Sequence, residues 1–453
     1  MMRHVPNGHR FASMPALAAL ALLLVACSSG TSSGALGHAI SVPTHTTGPG
    51  GTPTSSTVGT SLAASLRAPY IQSADWYLSR MSLDEKLGQM FLIETVWQGY
   101  NQDVDNMVSG MHAGAMIIYQ QNMASYGQLH NYIATIQAHA SIPLMVTMDE
   151  EGGGVDRLGY TGFDPAQPAA LYVAESGNPN VARQEGATLA HEMRAMGINV
   201  DLAPVVDVLT TSSPAELYTR LYGTTPSVVE RYAGAVLQGL QQNGIAGTLK
   251  HWPGIGSTTQ DPHLTLPTIS HSQAELQSTD FATFKALLPD DPAMIMVTHV
   301  VVPAYDANYP ATFSPTLVDG ILRGQLGYDG VVMTDSLYMG GIKDFLHDNN
   351  LYTELPKAAV LSIQAGDDLL EGAFDTPSMS AMIAGIKAAV RDGRITQSRI
   401  DQSVRRILAL KVQYGMLPLH VTSKTTATGQ GSSAAGAAQA AIVDADVPST
   451  HRA

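Results

Sequence analysis

Eight short apolar runs, separated by helical stretches, constrain the fold more than any other feature of this chain. They are LGQMFLIET (87–95), AGAMIIYQ (113–120), IPLMVTMDEE (142–151), INVDLAPVVDV (198–208), IAGTLKHW (245–252), AMIMVTHV (293–300), GVVMTDS (330–336) and IQAGDDLL (363–370). Most are continuously apolar rather than alternating, as expected of parallel strands buried on both faces. Among the stretches between and after them, 179–197 and 398–415 carry a helical period. In the second, Ser398 is the expected N-cap, Asp401 falls at the capping-box position, and Ile400, Val404, Ile407 and Leu408 form one apolar stripe. Eight strand–helix units predict an α/β fold, a (β/α)8 barrel of the TIM type in a single domain. An open doubly wound sheet is the alternative, but no GxGxxG turn follows the first strand.

Polar residues gather at the C-terminal ends of the runs: Asp149 to Glu151, Lys250 and His251, His299, Asp335, and Asp367 with Asp368. In a barrel those ends share one mouth, where active sites are built. The loop after the fifth run, KHWPGIGSTTQDPHLTLP (250–267), crowds a lysine, two histidines and an aspartate among glycines and prolines. A loop so rich in titratable groups is read as part of a site.

The chain has 453 residues, of which 45% are apolar, enough to build a full core. Its formal net charge of -14 disfavours nucleic acid or an anionic surface as the main partner. Arg3 and Arg10 precede a short apolar run ending LVAC at Cys27, the only cysteine. A basic start and a short apolar core read as a signal peptide. The LVAC end resembles the lipobox of bacterial lipoproteins, which implies lipidation at Cys27 and export to the cell membrane. Residues 28–66 are Ser, Thr, Gly and Pro with few large apolar side chains, and read as a tether. The expected folded unit is 67–417, and 418–453 reads as a low-complexity tail.

Paired carboxylates around one pocket are the equipment of glycoside hydrolysis. By position the candidates are Asp149, Glu151, Asp207, Asp335 and Asp368, each of which could instead cap a following helix. Asp335, at the end of VVMTD, is the best placed. His251 and His263 could bind a metal, yet no cysteine ligands and no HExxH accompany them, since His191-Glu192 lacks the second histidine. PGIGST evokes a phosphate loop without its lysine. No metal or cofactor is therefore expected.

Together these motifs resemble glycoside hydrolase family 3, in its β-N-acetylhexosaminidase (NagZ-like) branch, over residues of about 80–415. KHWPGIGSTTQDPH is similar to that branch's K-H-F-P-G-H-G followed by D-x-H, and MDEEGGGVDRL to D-Q-E-G-G-R-V-x-R-L. NVDLAPVVDV and LGYDGVVMTDSLYMGGI match further family segments. The resemblance implies Asp335 as nucleophile, His263 as general acid/base and Asp261 as its orienting partner. It places sugar-binding roles on Asp149, Arg157, Lys250 and His251, and on Arg220 in LYTRLYG. Three positions depart from the pattern: Gly154 replaces arginine, Ile255 replaces a frequent histidine and Glu150 replaces glutamine.

The residues fit those roles. A histidine titrates near neutrality and can give and take a proton at a glycosidic oxygen. A neighbouring carboxylate fixes its ring. Asp261 and His263 are two apart, so an extended segment would point both the same way; Gly254 and Gly256 would let the loop move. The resemblance implies a retaining, exo-acting enzyme without cofactor, releasing terminal N-acetylglucosamine from peptidoglycan fragments or chitooligosaccharides. A β-glucosidase, β-xylosidase or phosphorylase using the same intermediate is the close alternative. A sugar-binding surface lipoprotein without turnover is the distant one.

Overall fold

The structure, a computed structural model, describes residues 57–213 and 215–421, with the backbone alone at 57–66 and 216. The expected signal peptide with Cys27, the tether as far as 56 and the tail from 422 lie outside the described residues.

Eight parallel strands form the centre. They are β1 (Phe91–Ile93), β2 (Ala115–Ile117), β3 (Met145–Met148), β4 (Val200–Asp201), β5 (Ala246–Trp252), β6 (Met294–Val297), β7 (Val331–Thr334) and β8 (Leu370–Ala373). Each pairs with its sequence neighbour from β1 to β7, and β8 pairs with β1 through Phe91–Leu370 and Leu92–Glu371. A Met333–Leu369 bridge and the Thr334 N–H, donating to the Leu369 carbonyl at 3.0 Å, close β7 onto β8. The sheet therefore returns on itself as a (β/α)8 barrel, with every strand buried as its apolar composition requires.

Seven of the eight apolar runs contain the strand expected of them; the last is displaced. Ile363 and Ala365 belong to the buried face of the helix Leu351–Ala365, which ends at Gly366 with φ +122°. The strand begins only at Leu370, so Asp367 and Asp368 enter the barrel from its floor rather than lining its mouth. Asp368 is fully buried and held by Arg323 at 2.6 Å, Arg406 at 3.3 Å, Arg399 at 3.4 Å and the Ser403 hydroxyl at 2.7 Å. Burial would raise its carboxyl, but the three arginines outweigh that and bring it down to about 2. Asp368 is a structural counter-ion here, not a catalytic candidate. Leu87 to Gln89, at the head of the first run, likewise belong to a helix, Leu83–Gln89, whose Ser82 and Glu85 form a capping box.

The outer helices follow the sequence with small shifts. The stretch 179–197 is helical over Pro179–Met196, capped by Asn178 and ended by Gly197 at φ +89°. The final helix is Gln397–Gln413, capped by Thr396 rather than Ser398, because the Thr396 hydroxyl accepts from the Arg399 N–H at 3.1 Å. Asp401 pairs with Lys86 at 2.8 Å instead of closing a capping box. Ile400, Val404, Ile407 and Leu408 are all fully buried. The first helix, Thr57–Leu78, starts inside the stretch read as tether. His420, in the stretch read as tail, stacks on Trp76 at 3.9 Å and exchanges backbone hydrogen bonds with the Ser73 hydroxyl. Among the described residues no helix is long and apolar enough to cross a membrane.

Candidate active site

A cavity of about 490 Å³ opens at the C-terminal ends of the strands, within the usual range for a small-ligand pocket. Asp149, Arg157, Arg220, Lys250, His251, Asp261, His263 and Asp335 all line it. Those are the eight residues to which the sequence assigned catalytic or sugar-binding roles, and they come from positions 149 to 335.

One wall is a chain of ion pairs. Lys250, on β5, donates to Asp149 Oδ1 at 2.7 Å and to Glu151 Oε1 at 2.6 Å. Arg220 grips Glu151 with both forks, Nε to Oε2 at 2.7 Å and Nη2 to Oε1 at 2.8 Å. Arg157 stands 3.7 Å from Asp149 Oδ2. Burial alone would raise Glu151, but Arg220 and Lys250 hold it far below the usual carboxylate range. Burial would lower Lys250, but Asp149 and Glu151 carry it above the ordinary lysine value. Glu151 and Lys250 are therefore held charged at neutral pH, and the wall turns its cations toward the cavity.

Glu150, next in sequence, faces away from the cavity. Its Oε2 accepts from the N–H groups of Arg157 at 2.9 Å and Leu158 at 3.2 Å. Burial, then a hydrogen bond and the charge of Asp156, push its carboxyl up to about 10. It is a neutral acid that does what a glutamine would do, which explains how glutamate stands there. Gly154 lines the cavity, and a Cβ built on it meets nothing within 4 Å, so the missing side chain leaves that rim open.

Asp335 follows β7 directly. Its Oδ1 accepts from the Ser336 N–H at 2.9 Å and its Oδ2 from the Thr298 hydroxyl at 3.1 Å. Burial would raise it, but the fields of His299, His251 and His263 and the Ser336 N–H bring it below the ordinary aspartate value. The carboxylate is ionised, oriented and open to the cavity, as a nucleophile must be.

The loop after β5 carries the histidine–carboxylate pair. His263 Nδ1 lies 2.6 Å from Asp261 Oδ1, which also accepts the His263 N–H at 2.9 Å. The segment is a turn rather than an extended strand, with the Leu264 and Thr265 N–H groups both bonded to the Asp261 carbonyl. Asp at the first position and Pro262 at the second favour such a turn. With Nδ1–H engaged by Asp261, Nε2 is left to exchange a proton. The His263 side chain is 61% exposed, so it reaches bulk water. Gly254 and Gly256 have a packing role. A Cβ at Gly256 would collide with the Val208 carbonyl, and one at Gly254 (φ +120°) would sit 2.8 Å from Asp280 Cβ. They let the loop pack closely.

Asp207, a positional candidate, does not line the cavity. It is buried and accepts from His251 Nδ1 at 2.7 Å and the Ile255 N–H at 2.9 Å, fixing the His251 ring and the loop root. His299 is also fully buried, beneath the Asp335 loop rather than at the mouth. Among the described residues no group of three or more His, Cys, Asp or Glu side chains is arranged to hold a metal.

A second wall went unread in the sequence. Glu371 on β8 lines the cavity and accepts from the Tyr119 hydroxyl at 3.0 Å. Behind it Glu94, after β1, accepts from Tyr338 at 2.6 Å and Ser336 at 3.2 Å. Burial pushes Glu94 up to about 7, and burial with the Glu94 charge holds Glu371 well above the ordinary glutamate range. A lone acid inside LLEGA was the available signal for Glu371.

A parallel barrel with a sugar-sized pocket, an oriented strand-end carboxylate and an opposing histidine–carboxylate pair belongs to the class of barrel glycoside hydrolases. The comparison with known families is specific: residues 82–410 match the glycosyl hydrolase family 3 N-terminal domain, and the chain belongs to that family. It is 30% identical over 415 residues to the β-hexosaminidase LpqI of Mycobacterium tuberculosis, covering 87% of this chain and 96% of that one. It is 28% identical over 355 residues to a β-N-acetylglucosaminidase/β-glucosidase of Cellulomonas fimi, covering 75% of this chain but 59% of that enzyme. A solved family 3 β-N-acetylglucosaminidase from Paenibacillus sp. FPU-7 superposes with a TM-score of 0.69 at 31% identity, covering 77% of this chain and 66% of that one.

Proposed function

We propose that this protein is a retaining, exo-acting β-N-acetylhexosaminidase that releases terminal N-acetylglucosamine. The observation that carries this reading is the placement of Asp335 and the Asp261–His263 pair on one cavity, beside the Lys250–Asp149–Arg157 wall. The names of the Mycobacterium, Cellulomonas and Paenibacillus relatives support the same substrate class. In the first step the Asp335 carboxylate attacks the anomeric carbon as the glycosidic C–O bond breaks, and His263 Nε2 gives its proton to the leaving oxygen. In the second, His263 takes a proton from water, whose oxygen replaces Asp335 on the anomeric carbon. Asp261 keeps the ring in register and stabilises its cationic form.

The test is a comparison of chromogenic β-N-acetylglucosaminide, β-glucoside and β-xyloside, each with and without inorganic phosphate. Preference for the first, unchanged by phosphate, supports the reading. Faster turnover of the others, or sugar phosphate as product, refutes it. The natural substrates we propose are peptidoglycan fragments or chitooligosaccharides, met outside the cytoplasm by an enzyme tethered through lipid on Cys27. The lipobox-like LVAC supports that anchoring. Cys27→Ala should move the protein from the membrane to the soluble fraction of a bacterial host; identical fractionation of both forms rules the anchor out.

A further inference from the structure

His299 takes no part in the chemistry above, yet it lies directly under the nucleophile and every one of its polar atoms is engaged. Its ring is fully buried, with Nε2 2.9 Å from the Ser336 carbonyl and Nδ1 2.7 Å from the Thr312 hydroxyl. Ser336 and Thr298, the two residues that donate to the Asp335 carboxylate, are both tied to this ring. Ser336 is held through its carbonyl. Thr298 precedes His299 in the chain, and its own carbonyl lies 2.9 Å from the same Thr312 hydroxyl.

We propose that His299 is the positioning residue of the nucleophile: it holds the Ser336 carbonyl from below so that the Ser336 N–H and the Thr298 hydroxyl converge on Asp335. The inference rests on the hydrolase reading given above. Hydrogen-bond arithmetic fixes the state of the ring. A carbonyl cannot donate, so Nε2 must carry the hydrogen that reaches Ser336. The Thr312 hydroxyl has a single proton and donates it to the Thr298 carbonyl, so its oxygen accepts at Nδ1 and the ring donates from both nitrogens. Burial opposes the charged ring and lowers the histidine below its ordinary value, while Asp335 and the Ser336 carbonyl pull the other way. Bonded at both nitrogens, the ring is a rigid support, since turning it would take both off their partners. Its own Cβ is closely packed. A Cβ at Gly341, in the helix that follows the nucleophile loop, would stand 3.1 Å from His299 Cβ.

Three variants test this. His299→Leu fills similar space without either hydrogen bond. His299→Gln can return an amide N–H to the Ser336 carbonyl. Thr312→Val removes the hydroxyl that links Nδ1 to the Thr298 carbonyl. Misplacement of a reacting group by about 1 Å costs on the order of 10²-fold in rate. His299→Leu should therefore lower kcat, and the rate of inactivation by a 5-fluoro glycosyl donor, by about 10²-fold. Its inhibition constant for free N-acetylglucosamine should stay within about threefold, because the sugar wall is untouched. His299→Gln should recover at least about tenfold of the loss, and Thr312→Val should fall between wild type and His299→Leu. If His299→Leu does not fold, the other two carry the test through the same split between rate and binding. Overturning results are wild-type kcat in a folded His299→Leu, wild-type kcat in Thr312→Val together with His299→Gln, or sugar binding lost in proportion to rate. A wild-type chain inert toward every aryl glycoside refutes the hydrolase reading and this inference with it. An active wild type with unaffected variants refutes the inference alone.

Discussion

Glu150→Gln should make this protein more stable at neutral pH, and the gain should vanish in acid. Glu150 is fully buried, and burial with the neighbouring Asp156 raises its carboxyl from 4.5 to about 10. At pH 7.5 the unfolded chain has released this proton while the folded chain keeps it. With one pKa unit equal to about 1.4 kcal/mol, the roughly three units between 4.5 and 7.5 cost the fold about 4 kcal/mol. Because the folded form binds the extra proton, this loss is absent below about pH 4.5 and grows as pH rises toward the folded value. Glutamine escapes it. Its amide oxygen can accept the same Arg157 and Leu158 N–H groups, and its amide nitrogen can donate to Asp156. Thermal and urea unfolding of both forms between pH 4.5 and 8 measure the difference. The variant should match wild type near pH 4.5 and exceed it by about 2–4 kcal/mol at pH 7.5, or on the order of 5 °C in Tm. A variant less stable at pH 7.5, or a difference that does not change with pH, would refute the argument that Glu150 is held neutral.

The site assignments make further predictions. Asp335→Ala should lose on the order of 10⁴-fold or more in kcat, and a 5-fluoro glycosyl donor should label wild type on the peptide holding Asp335; label on Asp149 or Asp207 would reassign the nucleophile. His263→Ala should slow substrates with poor leaving groups by about 10²–10⁴-fold and activated aryl glycosides far less; equal losses on both would make His263 a binding residue. Gly256→Ala sets a Cβ against the Val208 carbonyl and should cost about 1–3 kcal/mol on unfolding; a neutral effect would show that the loop can yield there.

The barrel was legible because seven of its strands are apolar runs with their polar residues at the exit, and a strand buried on both faces leaves no other pattern. The eighth misled for a physical reason. The apolar end of the helix Leu351–Ala365 and the first residue of β8 form one run, and the break between them is a conformational fact about Gly366. That error placed Asp368 at the mouth, whereas it lies at the floor, where three arginines neutralise it. The ion-pair wall could be read because its members sit in dense polar motifs. Glu371 and Glu94 stand singly beside apolar residues, and a lone buried acid gives no local sign of the partner it will meet across the barrel. The dyad was legible as a pair but not as a turn, since spacing of two places Asp261 and His263 together in either geometry. The glycines of the loop have the same ambiguity: freedom of φ and close approach leave the same residue in the sequence, and the neighbouring carbonyl at Gly256 decides between them.

The two walls divide the electrostatic work. Asp149 and Glu151 are paired with Lys250, Arg157 and Arg220, two carboxylates against three cations, so this wall is basic overall. On the other side Glu94 and Glu371 face Asp335 and Asp149 with no cation among the groups that shift them. Were both acids ionised they would pull Asp335 toward protonation and stop it attacking. Burial holds Glu371 toward its neutral form, and the Tyr338 and Ser336 hydroxyls donate to Glu94, so the two acids set less repulsion against Asp335. On the proposed mechanism a positive charge developing at the anomeric carbon then meets the oriented Asp335 carboxylate, which needs no reorganisation to stabilise it. The acid/base must work in the opposite environment. On the proposed mechanism His263 exchanges protons with solvent between the two steps, and its exposure on a turn outside the barrel, with one nitrogen fixed by Asp261, allows this while Ser336 and Thr298 hold Asp335 at the strand end.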